Sequence, residues 1–234
     1  MLKQIQISFF AISLLLVTGF SKNQRNMTAN PQQYYSYLAL GDSYTIGETV
    51  LLADNFPYQT VQLLREKGFS FYAPEIIAKT GWTTDELTNA ISQRKTLPSY
   101  DFVTLLIGVN NQYRGRTVEN FKPEFEALLR QAIRFSGNNK DHVFVLSIPD
   151  WGVTPFAEGR NRAQVAREID AYNNICKQVS MENGVHFIDI TPSTRLATKD
   201  HSLVAADGLH PSGKEYSKWA ADLAGQIGQN ISKK

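Results

Sequence analysis

The chain has 234 residues, of which 42% are hydrophobic and 20% are charged. This composition is typical of a globular protein and excludes a fibrous or disordered chain. Lysine and arginine number 24 against 22 acidic residues, and no basic block is present, so nucleic-acid binding is disfavoured. The single cysteine, Cys176, excludes an internal disulfide and a zinc site built on cysteine pairs, and is expected to be a small buried apolar residue.

The first residues depart from this average. Lys3 is followed by an uncharged apolar run from Ile7 to Val17 and then by small residues. Such a run is too short to span a membrane, which takes roughly 20 residues, but it is typical of a secretory signal peptide. We expect residues 1–21 to be a signal peptide and residues 22–33 a flexible leader, with the mature protein exported and without a stable membrane anchor. A buried or tail-anchoring helix is the alternative.

From residue 34 onward, short apolar runs alternate with longer amphipathic stretches, which predicts one α/β domain over residues 34–234. The nearly continuous apolar run Phe102–Ile107 is typical of a parallel strand with helices on both faces, so we expect a three-layer α/β/α sandwich. The predicted strands are Tyr35–Leu40, Phe71–Ile77, Phe102–Ile107, His142–Ile148 and Val185–Ile190. The predicted helices are Phe56–Lys67, Thr83–Arg94, Val118–Phe135, Ala163–Asn183 and Ser212–Ile231.

Four polar clusters fall at the ends of predicted strands or just before the last helix. In an open parallel sheet, ligands bind beyond the carboxyl ends of the strands, where the chain turns toward each helix. We therefore expect these clusters to converge on one rim of the sheet. They are Gly41–Tyr44, Lys79–Trp82, Gly108–Asn111 and Asp207–Pro211.

These clusters contain the groups needed for nucleophilic attack on a carbonyl carbon. Ser43 follows a strand and a glycine, and His210 lies three residues after Asp207, so one turn can hold the carboxylate against the imidazole while the second ring nitrogen serves the serine. The Gly81 N–H, the Asn110 amide and the Ser43 N–H are candidate donors to an oxyanion. As alternatives, Ser43 could cap a helix, Gly81 could serve only a turn, and Asn110 could bond its own loop.

The remaining histidines are weaker candidates for the base. His142 and His186 open predicted strands, which favours structural roles, and His201 has no acidic residue three positions before it. His210 is therefore the preferred base.

The segment Leu38–Ser43 resembles the first block of the GDSL, or SGNH, hydrolases, whose second name lists serine, glycine, asparagine and histidine. All four have matches here in chain order, and the similarity extends over most of residues 35–224. The resemblance implies a mainly parallel, flavodoxin-like sheet and hydrolysis of esters. It also implies a role for each matching residue: Ser43 as nucleophile, Ser43, Gly81 and Asn110 as oxyanion-hole donors, His210 as base, and Asp207 as its orienting partner.

The chain departs from the family pattern at two positions. The third block often ends in aspartate, whereas this chain has Asn111; we expect this change to spare the chemistry and to alter how the loop is held. Tyr44 stands where leucine is frequent after the serine, which bears on the shape of the pocket.

Several rim residues are candidates for contact with a substrate. We expect Tyr44, Trp82 and Tyr113 to contact it, because aromatic walls suit apolar or sugar substrates, although such residues often pack locally instead. The arginines in the same region are weaker candidates, because exposed arginine is usually solvated. The further rim residues considered are Arg114, Arg116, Trp151 and Phe156.

Motifs for other chemistries are missing from the sequence. It contains no Gly-x-Ser-x-Gly elbow, no His-Glu-x-x-His zinc motif and no Gly-x-Gly-x-x-Gly after a strand, so we expect no metal and no organic cofactor. The sequence therefore predicts an exported serine esterase for a small ester, such as an acyl lipid, an aryl ester or an acetylated sugar. The alternatives are a carbohydrate O-acetylesterase, an O-acyltransferase, or a module that binds carbohydrate or lipid without turnover.

Overall fold

A computed structural model describes residues 33–233 of the chain, and these residues belong to one compact unit. The predicted signal peptide and all but the last residue of the predicted leader lie outside the described residues, so both remain predictions. Within the described range, no helix combines the length and the apolar character needed to cross a membrane.

The main sheet has five parallel strands in a flavodoxin-like order. Numbered along the chain, the strands are β1 (Tyr34–Tyr35), β2 (Tyr37–Gly41), β3 (Ser70–Phe71), β4 (Glu75–Ala78), β5 (Phe102–Leu106), β6 (Val143–Leu146) and β7 (His186–Ile188). The order in the main sheet is β4-β2-β5-β6-β7, and β1 pairs with β3 in a separate two-stranded parallel sheet. This order confirms the predicted sheet type.

Two predicted strands are each divided in two by the structure. The first breaks at Ser36, whose N–H and hydroxyl both donate to Asp101 Oδ2, at 2.7 and 2.8 Å, so that the ladder is interrupted between β1 and β2. The second breaks before β4, where Pro74 has no N–H to donate to a ladder.

The five longest helices correspond to the five predicted ones. The helices are α1 (Ser43–Ile46), α2 (Phe56–Glu66), α3 (Thr84–Gln93), α4 (Val109–Tyr113), α5 (Val118–Phe135), α6 (Arg162–Asn183), α7 (Thr191–Thr194) and α8 (Gly213–Ser232). The short helices α1, α4 and α7 were not predicted, because four or five residues are too few to show a helical period.

The helices enclose the sheet in a three-layer arrangement. Helix α2 packs against α8, and α5 packs against α3 and α6. Every residue of β2, β5 and β6 is buried, as expected for strands covered on both faces. Cys176 is buried in α6. His142 stacks on Phe102, with ring centroids 4.5 Å apart.

The topology determines where a ligand can bind. Strand β2 lies between β4 and β5; the chain runs from β2 to β4 on one side and then crosses back past β2 to β5 on the other. Such a reversal of strand order opens a crevice at the carboxyl ends of the strands. The segment that follows β2 begins with Asp42 and Ser43.

Candidate active site

Ser43 is the first residue of α1 and follows β2 after one intervening residue. The turn depends on Gly41, because a Cβ there would collide with Thr45 Oγ1 and with the carbonyl oxygen of Leu106. Asp42 caps α1 by accepting a hydrogen bond from the Tyr44 N–H at 3.0 Å. The strand end and the cap together hold Ser43 in a fixed position at the rim of the sheet.

The carboxyl group of Asp42 is fully buried beneath this turn. Burial raises the pKa of Asp42 to about 7, although the hydrogen bond from the Tyr44 N–H favours the charged form. Asp42 Oδ2 has no hydrogen-bond partner among the described residues. The turn that carries Ser43 therefore includes a buried carboxyl group whose ionisation is unfavourable.

Asp207 and His210 lie on one short turn and form a close pair. His210 Nδ1 lies 2.5 Å from Asp207 Oδ2, and Asp207 Oδ1 accepts the backbone N–H groups of Leu209 and His210, each at 3.0 Å. Burial alone would raise the pKa of Asp207, but these hydrogen bonds, chiefly the one from His210, hold that pKa below its usual value. The carboxylate is therefore suited to stabilise a positively charged imidazole.

Gly81 occupies the third position of a tight turn at the edge of the site. The turn is closed by a hydrogen bond from the Trp82 N–H to the Lys79 carbonyl oxygen at 3.2 Å. Gly81 has φ of +84°, a conformation that type II turns require at this position and that glycine adopts without strain. No hydrogen bond from the N–H of Gly81 or Ser43 to another described residue is found.

Asn110 lies in α4, which begins after Gly108. Its Nδ2 donates to the Trp82 carbonyl oxygen at 3.0 Å, and the second N–H of the amide is left for a ligand. Gly108 has φ of +128°, and a Cβ there would lie 2.8 Å from side-chain atoms of Phe121 and Ile148. Glycine is thus required for α4 to approach α5 closely enough to place Asn110 beside the Gly81 turn.

One cavity of about 170 Å³ is lined by four of the five residues predicted for the triad and the oxyanion hole, all but Asp207. Ser43, Gly81, Asn110 and His210 all line it, and the other lining residues are Tyr44, Thr80, Val109, Tyr113, Trp151, Phe156 and Leu209. Within the described residues, neither the Ser43 hydroxyl nor His210 Nε2 forms a hydrogen bond. Both groups therefore face the same cavity without another partner.

The predicted substrate contacts are only partly placed at this cavity. Tyr44 lines it, with its ring 5.5 Å from that of His210, and Tyr113 lines it together with Trp151, at a ring distance of 5.5 Å. Trp82 does not line it, since its half-buried side chain packs against the core; its contact with a substrate stays a prediction. Only its backbone oxygen reaches the site, because the turn directs the side chain toward the core.

Three further residues line the cavity: Thr80, Val109 and Leu209. Each lies in one of the clusters predicted at the rim, but the sequence assigned it no role, because it adjoins a motif residue without being one.

Asn111, the departure from the family pattern, is fully buried in a polar network. Its Oδ1 accepts the Thr84 N–H at 3.1 Å, and its Nδ2 donates to Thr84 Oγ1 at 2.7 Å and to Glu124 Oε2 at 3.4 Å. The Thr84 hydroxyl also donates to Glu124. An asparagine suits this position because an aspartate would face the Glu124 carboxylate.

Arg114 and Arg116 do not line the cavity but link α4 to the start of α3. Arg114 donates to the Gly81 carbonyl oxygen at 2.6 Å and pairs with Glu86 at 3.1 Å. Arg116 pairs with Asp85 at 2.6 Å. Neither arginine is the freely solvated side chain that the sequence suggested. No cluster of potential metal ligands occurs among the described residues.

The sheet order and the serine, histidine and carboxylate at its edge define a class of α/β hydrolases. A family model described as the GDSL-like Lipase/Acylhydrolase family matches residues 39–218, and the chain belongs to this family. The chain is thus an ester-hydrolysing enzyme of the acylhydrolase type, with the α/β SGNH fold. No curated protein sequence matches it significantly.

Solved structures with the same fold include three bacterial hydrolases. A lipase/acylhydrolase from Enterococcus faecalis is 18% identical with a TM-score of 0.63, over 82% of this chain and 95% of that chain. Axe2, an acetylxylan esterase from Geobacillus stearothermophilus, is 20% identical with a TM-score of 0.62, over 83% and 94%. The psychrotrophic esterase EstA from Pseudoalteromonas is 16% identical with a TM-score of 0.58, over 85% and 97%.

Proposed function

We propose that this protein is an exported serine esterase that hydrolyses carboxylic esters through an acyl-enzyme on Ser43. The observation that carries the proposal is the 2.5 Å pair of His210 Nδ1 and Asp207 Oδ2 at a cavity that Ser43 also lines. Membership of an acylhydrolase family supports the reaction class, and the residue roles are our assignment.

In the proposed reaction, Ser43 Oγ attacks the ester carbonyl carbon and His210 Nε2 takes the hydroxyl proton. Asp207 stabilises the resulting imidazolium and keeps the proton on Nδ1. The negative charge that develops on the carbonyl oxygen is met by the Ser43 and Gly81 N–H groups and by Asn110 Nδ2. When the intermediate collapses, His210 protonates the leaving alcohol, and a water molecule activated by His210 then releases the acid.

The size of the cavity favours a short acyl group. Its volume is about 170 Å³, and a cavity of about 150 Å³ holds a benzene molecule. An acyl chain of up to about six carbons fits by this measure. The apolar side chains of Val109, Trp151 and Leu209 would surround it.

A second, polar groove favours a hydroxyl-rich alcohol, such as a sugar, on the other side of the ester. This groove, of about 310 Å³, shares Tyr113 and Trp151 with the cavity. Its remaining lining residues are mainly polar, and they are Gln112, Gly115, Arg160, Asn161, Gln164, Val165 and Glu168. Because the structurally similar Axe2 is an acetylxylan esterase, we propose a carbohydrate O-acetylesterase as the more specific candidate function.

A chain-length series tests the reaction and the cavity together. Nitrophenyl esters from acetate to dodecanoate should be hydrolysed by the wild-type protein, with kcat/KM highest for the short chains. Ser43→Ala should reduce turnover by about 10⁴-fold or more, while Ser217→Ala, a serine on α8, should not. Absence of hydrolysis for every ester would contradict the proposal and favour a binding module.

Release of acetate from an acetylated oligosaccharide tests the more specific candidate. The proposal expects a higher kcat/KM for this substrate than for a simple alkyl acetate. Added free sugar should not divert the acetyl group, because water is the proposed acceptor. Acetyl transfer to the sugar in preference to water would instead identify an O-acyltransferase.

Export is a separate proposal, and it rests on Lys3 and the apolar run that follows. N-terminal sequencing of protein secreted by a bacterial host should find a chain that begins between about residues 20 and 27. Full-length protein recovered from the cytoplasm with Met1 intact would count against it.

A further inference from the structure

Two of the three proposed oxyanion-hole donors, the Gly81 N–H and the Asn110 amide, lie on separate segments, and one residue contacts both segments. Arg114 is the C-terminal cap of α4, with its N–H bonded to the Asn110 carbonyl oxygen at 3.0 Å. Its side chain donates to the Gly81 carbonyl oxygen at 2.6 Å. Arg114 thus connects the helix that carries Asn110 to the turn that carries Gly81.

The Gly81 turn needs such a connection, because glycine has little intrinsic preference for either sign of φ. Type I and type II turns differ in the orientation of the central peptide, which in this turn is the peptide that carries the Gly81 N–H. The observed φ of +84° is therefore one of two accessible conformations. Arg114 binds the carbonyl oxygen of Gly81 itself, on the peptide that follows the central one, and so fixes Gly81 on one side of the N–H proposed as the donor.

Arg114 is itself held in place by α3. Its Nη1 pairs with Glu86 Oε1 at 3.1 Å, and Glu86 Oε2 accepts the Thr83 N–H at 2.9 Å in the capping box of α3. The guanidinium group therefore has one anchor besides Gly81, the capped start of α3, while the main chain of Arg114 is fixed at the end of α4. A planar group held at two points can orient the carbonyl that it binds, which a single point charge does less well.

We propose that Arg114 is a positioning residue that holds Gly81 in the conformation required of an oxyanion-hole donor. The proposal rests on the serine esterase function proposed above. It predicts that loss of Arg114 weakens stabilisation of the transition state and leaves binding of the ground-state substrate nearly unchanged.

Arg116 provides a matched control two residues further along the chain. It also forms an ion pair with an acidic residue in the first turn of α3, Asp85, at 2.6 Å. Unlike Arg114, it makes no hydrogen bond to Gly81 within the described residues. It also pairs with Glu124 at 3.5 Å, so a variant of Arg116 loses at least as much ion pairing as a variant of Arg114 without releasing the turn.

The kinetic test compares Arg114→Met with Arg116→Met on a short nitrophenyl ester. We expect Arg114→Met to lower kcat by about 10-fold or more, but by less than the 10²–10³-fold that loss of an oxyanion donor costs, with KM within about twofold. Arg116→Met should keep kcat within about threefold, as expected of an exposed ion pair. Arg114→Lys, which keeps the charge but replaces the planar fork by a single nitrogen, should recover part of the loss.

A second measurement does not depend on activity. In protein labelled with ¹⁵N-glycine, the amide signal of Gly81, assigned by its loss in Gly81→Ala, should broaden or shift in Arg114→Met and stay unchanged in Arg116→Met. A sharp, unshifted Gly81 signal in Arg114→Met would overturn the proposal even if the wild-type protein hydrolysed no ester. In an active enzyme, equal losses of kcat in the two arginine variants, or a loss confined to KM, would also overturn it.

Discussion

The two sides of the candidate site are held by different kinds of contact. On the nucleophile side, the deciding hydrogen bonds join residues two or three positions apart, from the Tyr44 N–H to Asp42 and between His210 and Asp207. On the oxyanion side, they join residues 28 and 33 positions apart, from Asn110 to Trp82 and from Arg114 to Gly81. The first side depends on local turns, whereas the second depends on how the Gly81 turn meets α4.

This difference implies that substitutions on the two sides fail in different ways. On the nucleophile side, a substitution removes a reacting group or its direct partner, and the backbone geometry is kept. On the oxyanion side, a substitution can leave every reacting group present and still misplace a donor. Four substitutions test this contrast, in order from the largest expected effect to the smallest.

Asp207→Asn should lower kcat by about 10²–10⁴-fold on a short ester, because the imidazolium loses its charge partner while the turn persists. Asp200→Asn is the control, since Asp200 pairs with Lys214 at the surface of the same region. Its turnover should stay near that of the wild-type protein. A loss below tenfold in Asp207→Asn, with an unchanged circular dichroism spectrum, would show that the carboxylate is not the partner of the base.

Asn110→Ala should lower kcat by about 10²–10³-fold, because one oxyanion donor contributes roughly 3–4 kcal/mol. Since the same amide also donates to the Trp82 carbonyl oxygen, some loss of thermal stability should accompany this change. Asn120→Ala, on the exposed side of α5, is the control. Single-turnover rates equal to those of the wild-type protein would assign the oxyanion role to another group.

Asp42→Asn should remove a pH dependence of stability. Because the folded-state pKa of Asp42 is raised to about 7, the contribution of its protonated form to stability is fully present below about pH 4 and is lost as the pH rises through 7. Between pH 4 and pH 8, the free energy of unfolding of the variant, measured with urea, should rise relative to that of the wild-type protein by up to about 4 kcal/mol. Parallel profiles would contradict this, and Asp222→Asn, at an exposed position of α8, should give such a parallel profile.

Asn111→Asp should destabilise the protein by about 1–3 kcal/mol, because it places a carboxylate against Glu124 in a buried network. In the double variant with Glu124→Gln, an amide can donate to the new carboxylate, so most of the loss should be recovered. A double-mutant cycle measured by urea unfolding gives the coupling energy. Simple additivity of the two changes would mean that residues 111 and 124 do not interact.

The same contrast explains which features could be predicted from the sequence. The strand Phe102–Leu106 and the helix Val118–Phe135 were predicted well, because their apolar patterns reflect burial directly. The division between β1 and β2 was missed, since it depends on Asp101, which lies 65 positions from Ser36. Arg114 was misjudged for the same reason, because its partners Glu86 and Gly81 lie 28 and 33 positions away.

Among the residues of the candidate site, those identified by motifs were the easiest to find. Asp207 and His210 are close in sequence, so their spacing alone predicts the pair that the structure contains. The network of Asn111, Thr84 and Glu124 joins three segments of the chain, so no local sequence pattern predicts it. The departure at Asn111 was visible in the sequence, but its physical reason required the position of Glu124.

The central claim is that Ser43 is a nucleophile activated by His210. A reactive organophosphonate ester, which forms a covalent bond with an activated serine, tests this claim without knowledge of the natural substrate. Peptide mass spectrometry of the wild-type protein should place the phosphonyl group on Ser43, and Ser43→Ala and His210→Ala should remain unlabelled. An unlabelled wild-type protein, or a label on another serine that persists in Ser43→Ala, would contradict the account.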